Sequence, residues 1–390
     1  MANTYNGETP APITTQHRVE ILDFLRFLAI GLVVGVHYRY QLIPGGSVGV
    51  AVFFALSGYL ITKNLLQKEV SIPEFLMRRM FRIYPSYLVV CLLNVAILYL
   101  TGSVKYNSFM QNLPGVVLLI KMPDAWLSVG LGIFWTLQIE MWFYFLIPFL
   151  IKKNNPLLRI TIVLALIAVS FIFKSLVFFD IVKLSSYAIF RTLYWMDNLL
   201  YGTLTALLLE NAGRQLSIKT MKFSPGLNIN IVIISSLAMI GLIAFFTPSG
   251  DSVWPFRLSI VSGLTATVIF FSQKYQVSNY KMPRFVSYIS LLAYSIYLLH
   301  PLLPDYYVAC RHYFALPTAV YALMLISIII VLILALHYLV EKPGIRMGHK
   351  LYMAYFHRPV QPVEKKAKPS YYPPMAPLRR VVVHQKSPNS

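Results

Sequence analysis

Apolar runs of about 20 residues recur along most of this chain, and no other feature limits its fold so tightly. Each run is long enough for a helix to cross a hydrocarbon core of roughly 30 Å. Lipid offers no partner for an unpaired backbone N–H or C=O, so the runs must be helical. They lie near residues 21–40, 47–66, 83–101, 133–151, 158–178, 198–213, 228–247, 256–273, 285–303 and 318–339. An all-α, polytopic membrane protein with about ten transmembrane helices follows. Residues 113–121, with Pro114 and Pro123 nearby, are too short to cross and are expected to be re-entrant or interfacial. Charged residues make up 12% of the 390, where a soluble domain carries about twice that share, so no separate soluble domain is expected.

The net charge of +20 invites a nucleic-acid partner until the charges are placed. Lys and Arg gather in alternate loops, as cytoplasmic segments require, and an even number of spans puts both termini in the cytoplasm. The basic excess therefore reports topology, and no nucleic acid is expected. Residues 1–20 form a polar N-terminus, 21–341 the membrane domain, and 342–390 a basic tail rich in proline. The tail cannot bury a core and is expected to be disordered, orienting the chain against anionic lipid or holding a partner. The two cysteines, Cys91 and Cys310, do not make a disulfide framework. The first apolar run lacks a cleavage pattern and reads as a retained helix.

Ionisable groups inside lipid are expensive, which makes each a candidate for function. The first run, DFLRFLAIGLVVGVHY, holds Arg26 and His37. Their spacing amounts to three helical turns and about 20°, so both project from one face, about 16 Å apart along the axis. Asp23 is placed to pair with Arg26. A guanidinium near the cytoplasm suits an anionic or carbonyl-bearing donor, and an imidazole deeper in suits a general base. Snorkelling of Arg26 and an interfacial role for His37 are the plain alternatives.

In SIPEFLMRRMFRIYPSY, Ser71 and Glu74 form a capping box that predicts a helix beginning by Ile72. Arg78, Arg79 and Arg82 then crowd one corner, able to grip phosphates or simply to mark topology. Glu140, in IFWTLQIEMWFYFLIP, needs a partner or a proton, and His37 is the expected partner. A structural bond to Trp135 or a tyrosine is the alternative. Ser295 and His300 are candidates for the acceptor side, with packing an equal reading of His300. Asp197, Tyr201 and Glu341 are weaker candidates. No metal-ligand set is expected.

Taken in order, these residues resemble acyltransferase family 3. Arg26 to His37 looks like that family's Arg-x10-His motif, residues 46–58 like its GxxGVxxFFxLSG stretch, and residues 78–85 like its RRxxRIxP run. WTLQIEMWFY at 135–144, SIYLLHP at 295–301 and Glu341-Lys342-Pro343 complete the pattern. The resemblance implies a ten-span protein of the bacterial inner membrane, using acyl-CoA, often acetyl-CoA, as co-substrate with no permanently bound cofactor. It implies a hydroxyl of a glycan or lipid-linked sugar as acceptor at the outer side. It makes His37 and Glu140 catalytic and Arg26, Arg78, Arg79 and Arg82 donor-binding. Many members carry a further esterase-like domain after the membrane part; here only the basic, proline-rich tail is expected in its place. Direct transfer and an acyl-enzyme both remain open. So does a transporter or flippase of a lipid-linked sugar or anion, which buried Arg, His and Glu would also suit. A membrane sensor or scaffold acting through the tail is a third reading.

Overall fold

The computed structural model describes residues 20–37, 43–67, 70–100, 102, 105–120, 132–152, 155–184, 188–215, 229–247, 255–274, 282–302 and 317–356. These are helical, with turns between them and no strand among the described residues. The helices are α1 (Glu20–His37), α2 (Val48–Gln67), α3 (Ile72–Leu100), α4 (Lys105–Val117), α5 (Trp135–Ile151), α6 (Pro156–Phe178) and α7 (Ala188–Gln215). They continue as α8 (Ile229–Phe246), α9 (Arg257–Lys274), α10 (Arg284–Leu299), α11 (Thr318–Ala335) and α12 (Lys342–Tyr355). Five are long and apolar enough to cross a bilayer: α2, α3, α6, α8, and the continuous helix from Val320 to Tyr355.

Local signals explain several ends. α3 starts at Ile72, where the Ser71 hydroxyl accepts from the Glu74 backbone N–H at 3.3 Å, as the capping box requires. It therefore begins well before the apolar run at 83, with Pro85 inside it. Asn155 caps α6 by accepting from the Leu157 and Leu158 N–H groups, and Pro156 takes the first helical position. α4 has 13 residues, about 20 Å of rise, so it is too short to cross.

The expected tail boundary at 342 needs correction. The chain stays helical to Tyr355, passing through a π turn at Leu336–Glu341 just before Pro343. Proline has no N–H to donate, and a widened turn accommodates the lost bond. Gly344 and Gly348 let α12 lie against Phe81 and Pro85 of α3, so this stretch is packed despite its basic composition. The expectations for residues 1–19 and 357–390 lie outside the described residues.

Two devices bring the inner helices together. Glycines remove the side chains that would separate backbones: a Cβ at Gly58 would lie 1.9 Å from the Leu199 carbonyl oxygen, and one at Gly202 1.8 Å from that of Ala55. α2 thus packs on α7 at backbone distance, and Gly46 and Gly49 bring the start of α2 onto α1 in the same way. The second device is a sealed ion pair. Lys174 on α6 donates to both oxygens of Asp197 on α7 at 2.7 Å and to Ser259 on α9 at 2.6 Å. Ser170, Asn198 and Ser259 donate to Asp197 as well. Every lone pair of that carboxylate is used, which offsets the heavy desolvation of two charges.

Lys174→Met leaves Asp197 buried and unpaired and is expected to cost about 3–5 kcal/mol. Combining it with Asp197→Leu should recover most of the loss, as read from thermal unfolding in detergent.

Candidate active site

Arg26 lies one turn into α1 and is held there rather than free. Its guanidinium donates to Asp23 at 3.2 Å. Asp23 is buried and accepts from Ser290 at 2.9 Å and Ser287 at 3.5 Å, both on α10. Glu20 accepts from the Met282 backbone N–H at 2.7 Å, so α1 and α10 start side by side and run parallel. Their far ends meet as well. The rings of His37 and His300 stand edge to face, 4.9 Å between centroids.

Both imidazoles are fixed by backbone carbonyls. His37 Nδ1 lies 2.9 Å from the Val33 oxygen and His300 Nδ1 2.8 Å from the Tyr297 oxygen. A carbonyl can only accept, so each Nδ1 carries a proton, and in the neutral ring it is Nε2 that presents the lone pair. His37 is exposed, whereas His300 is buried. The Tyr297 hydroxyl bonds Thr136 at 2.6 Å and donates to the Ile133 carbonyl at 3.0 Å, which locks α10 to the start of α5.

Glu140 is engaged elsewhere. One carboxylate oxygen accepts from Ser57 at 3.1 Å and from Tyr144 at 2.5 Å. Among the described residues no bond joins it to His37, so the expected Glu140–His37 pair is not formed. Depth explains this. Ser57 sits about 13 Å into α2, whereas His37 ends α1. Tyr144 follows Glu140 by one helical turn and links it to an arginine: the Arg79 guanidinium stacks over Tyr144 at 5.5 Å and over Phe75 at 5.4 Å.

The three clustered arginines take different surroundings, Arg82 remaining within electrostatic reach of Arg79 and Tyr144. Arg79 turns inward, Arg78 pairs with Glu74 one turn back, and Arg82 stays exposed. Their spacing alone could not say which would face the core. Ser295, expected on the acceptor side, is buried away from the two histidines. It donates to Glu341 at 3.0 Å, and the same oxygen takes His337 Nδ1 at 2.8 Å across the π turn. His337 escaped the sequence reading, although a histidine four residues before a carboxylate in an apolar run was a usable signal. Lys174, in SFIFKSLVFF, was an equally readable one. Among the described residues no group of three or more His, Cys, Asp or Glu side chains converges to hold a metal ion.

Residues 19–337 match a family described as an acyltransferase domain. Over 186 residues the chain is 31% identical to the peptidoglycan O-acetyltransferase OatA of Listeria monocytogenes, covering 41% of this chain and 29% of that protein. It is 31% identical over 158 residues to the putative membrane-bound transacylase BcsY of Komagataeibacter xylinus, covering 37% and 40%. It is 30% identical over 159 residues to the O-acetyltransferase OatA of Staphylococcus aureus, covering 35% and 26%. The matched stretch is thus less than half of each relative's own length. No solved structure matches the chain.

Glu341→Leu strands the Ser295 hydroxyl and the His337 N–H, and should cost about 1–3 kcal/mol for each. Glu341→Gln keeps an acceptor and should lose less in the same thermal unfolding assay.

Proposed function

Because the chain belongs to this acyltransferase family, matched from residue 19 to 337, we propose that it moves an acyl group, acetyl first among the choices, from cytoplasmic acyl-CoA to a hydroxyl of a glycan or lipid-linked sugar across the membrane. In this reading about ten helices span the bilayer and both termini are cytoplasmic. One observation carries the proposal: His37 ends α1 with Nδ1 donating to the Val33 carbonyl and Nε2 left as a lone pair. That bond selects the tautomer whose Nε2, in the neutral ring, can serve as a general base.

The donor arrives from the end where α3 begins. Arg78, Arg79 and Arg82 meet the phosphates of CoA, and the pantetheine arm runs up the α1 stripe past Arg26. Arg79, stacked on Tyr144 above Phe75, places positive charge beside the Glu140 carboxylate. Glu140 then acts on the donor side, holding the Ser57 and Tyr144 hydroxyls. At the other end of α1, His37 Nε2 takes the proton from the acceptor hydroxyl as its oxygen attacks the thioester carbonyl. The relatives named O-acetyltransferases support an O-linked product, and the one named for peptidoglycan supports a cell-envelope glycan as acceptor.

His37→Ala should insert and fold normally yet lose about 10²–10⁴-fold in rate. The measurement is transfer from labelled acetyl-CoA to envelope glycan, with the ester identified by mass spectrometry. A variant that kept the wild-type rate would remove His37 as base. A chain cut after Phe356 should retain transfer; loss of activity there would favour a role centred on the tail.

A further inference from the structure

The proton that His37 accepts has to be held until the leaving thiolate can take it. In many sites a carboxylate behind the imidazole helps to hold it. Here that position is taken by the Val33 carbonyl, and Glu140 is bonded to Ser57 and Tyr144. Neither of these arrangements puts a carboxylate on the His37 ring. The charge formed during transfer therefore needs another partner.

His300 offers one. Its Nε2 is sealed from solvent and has no hydrogen-bond partner among the described residues. A buried acceptor left unmet is costly, and such an atom calls for an explanation. The ring cannot easily turn to find a donor elsewhere. Its Nδ1 is committed to the Tyr297 carbonyl, and Tyr297 is pinned through its hydroxyl to Thr136 and Ile133. The side chain lying against it is His37. While His37 is neutral, its Nε2 also bears a lone pair, and two lone pairs cannot bond. The edge-to-face contact is what remains to them. Once His37 gains a proton, it gains at Nε2 the N–H that His300 lacks.

We propose that His300 is a positioning residue for acyl transfer, its Nε2 accepting a hydrogen bond from the imidazolium that His37 becomes. The proposal rests on the reading of His37 as base. The acceptor oxygen bonds to the thioester carbonyl carbon while its proton passes to His37 Nε2. The C–S bond then breaks, and the proton moves from His37 to the departing sulfur, which leaves as free thiol. His300 neither gains nor loses a proton. It holds the charged intermediate form of its neighbour: with the His300 ring fixed at Nδ1, it is a turn of the exposed His37 ring that brings the new N–H to the waiting acceptor.

The test uses the full-length protein in proteoliposomes with labelled acetyl-CoA and whole envelope glycan. His300→Phe keeps an aromatic ring but removes the acceptor. It should lower kcat roughly tenfold to a hundredfold, the worth of a hydrogen bond to a charged group, while KM for acetyl-CoA stays at the wild-type value. His300→Gln restores an acceptor oxygen and should recover most of that rate. Should His300→Phe insert poorly, His300→Leu takes its place. Wild-type kcat in the apolar variant, or a Gln variant as slow as Phe, overturns the proposal, since a packing role would not follow acceptor chemistry. His37→Ala in the same assay separates the two ideas. If it is inactive while His300→Phe is fully active, only the role of His300 falls. If it is fully active, the base itself is wrong.

Discussion

An unmatched polar group in a medium of low dielectric is the constraint on which this structure turns. The helices satisfy their own backbones, so the side chains that remain polar inside the bundle must find one another. Most do so completely. Lys174 and Asp197 exhaust each other together with Ser170, Asn198 and Ser259, tying α6, α7 and α9. Asp23 gathers Arg26, Ser287 and Ser290 between α1 and α10. Glu341 gathers Ser295 and His337. Each carboxylate is the hub of a joint between helices, and charge serves here as a connector. Some buried polar atoms stay unmet, the Nε2 of His337 and the Gln138 amide among them; the Nε2 of His300 differs in belonging to a ring that lies against His37.

Close approach of backbones sets where those joints fall. Without glycine at 58 and 202, α2 and α7 would stand apart by the thickness of a side chain. Ser57, next in the chain to Gly58, would then be carried away from Glu140. Gly46 and Gly49 do the same service between α2 and α1, whose last residue is His37. The small residues thus act on the chemistry at one remove, by fixing how far the polar side chains have to reach.

The helices were legible because lipid dictates both their length and their apolar content. Helices cover the stretches marked by the 20-residue yardstick, and the Ser71–Glu74 box located the start of α3. The Arg26–His37 stripe was legible too, since one helix contains both residues and its periodicity is known. Partners across helices were not. Ser57 and Glu140 are 83 positions apart, and nothing local tells a carboxylate which distant hydroxyl will meet it. The assignment of Glu140 to His37 failed for that reason: the difference in depth between the middle of α2, where Ser57 lies, and the end of α1 was not readable. Likewise the proline-rich composition beyond 342 hid the helix to Tyr355, whose own proline, Pro343, sits in its first turn where a missing N–H is tolerated.

The separation of Glu140 from His37 changes how the chemistry is divided along the bundle. A carboxylate beside the base would raise its basicity but would also place a negative charge next to an incoming hydroxyl oxygen that must itself become negative. Moving Glu140 down to Ser57, Tyr144 and Arg79 removes that repulsion from the attacking end. In the proposed reaction two imidazoles would take its place, His37 exposed and His300 buried against it. A neutral acceptor helps a neighbouring cation without opposing an anion, which is the combination that attack by an oxygen nucleophile requires. In that reaction Glu140 and the clustered arginines would then serve the polyanionic donor, while Arg257, bonded to the Ser47 and Thr247 hydroxyls, is a permanent charge near the His37 end.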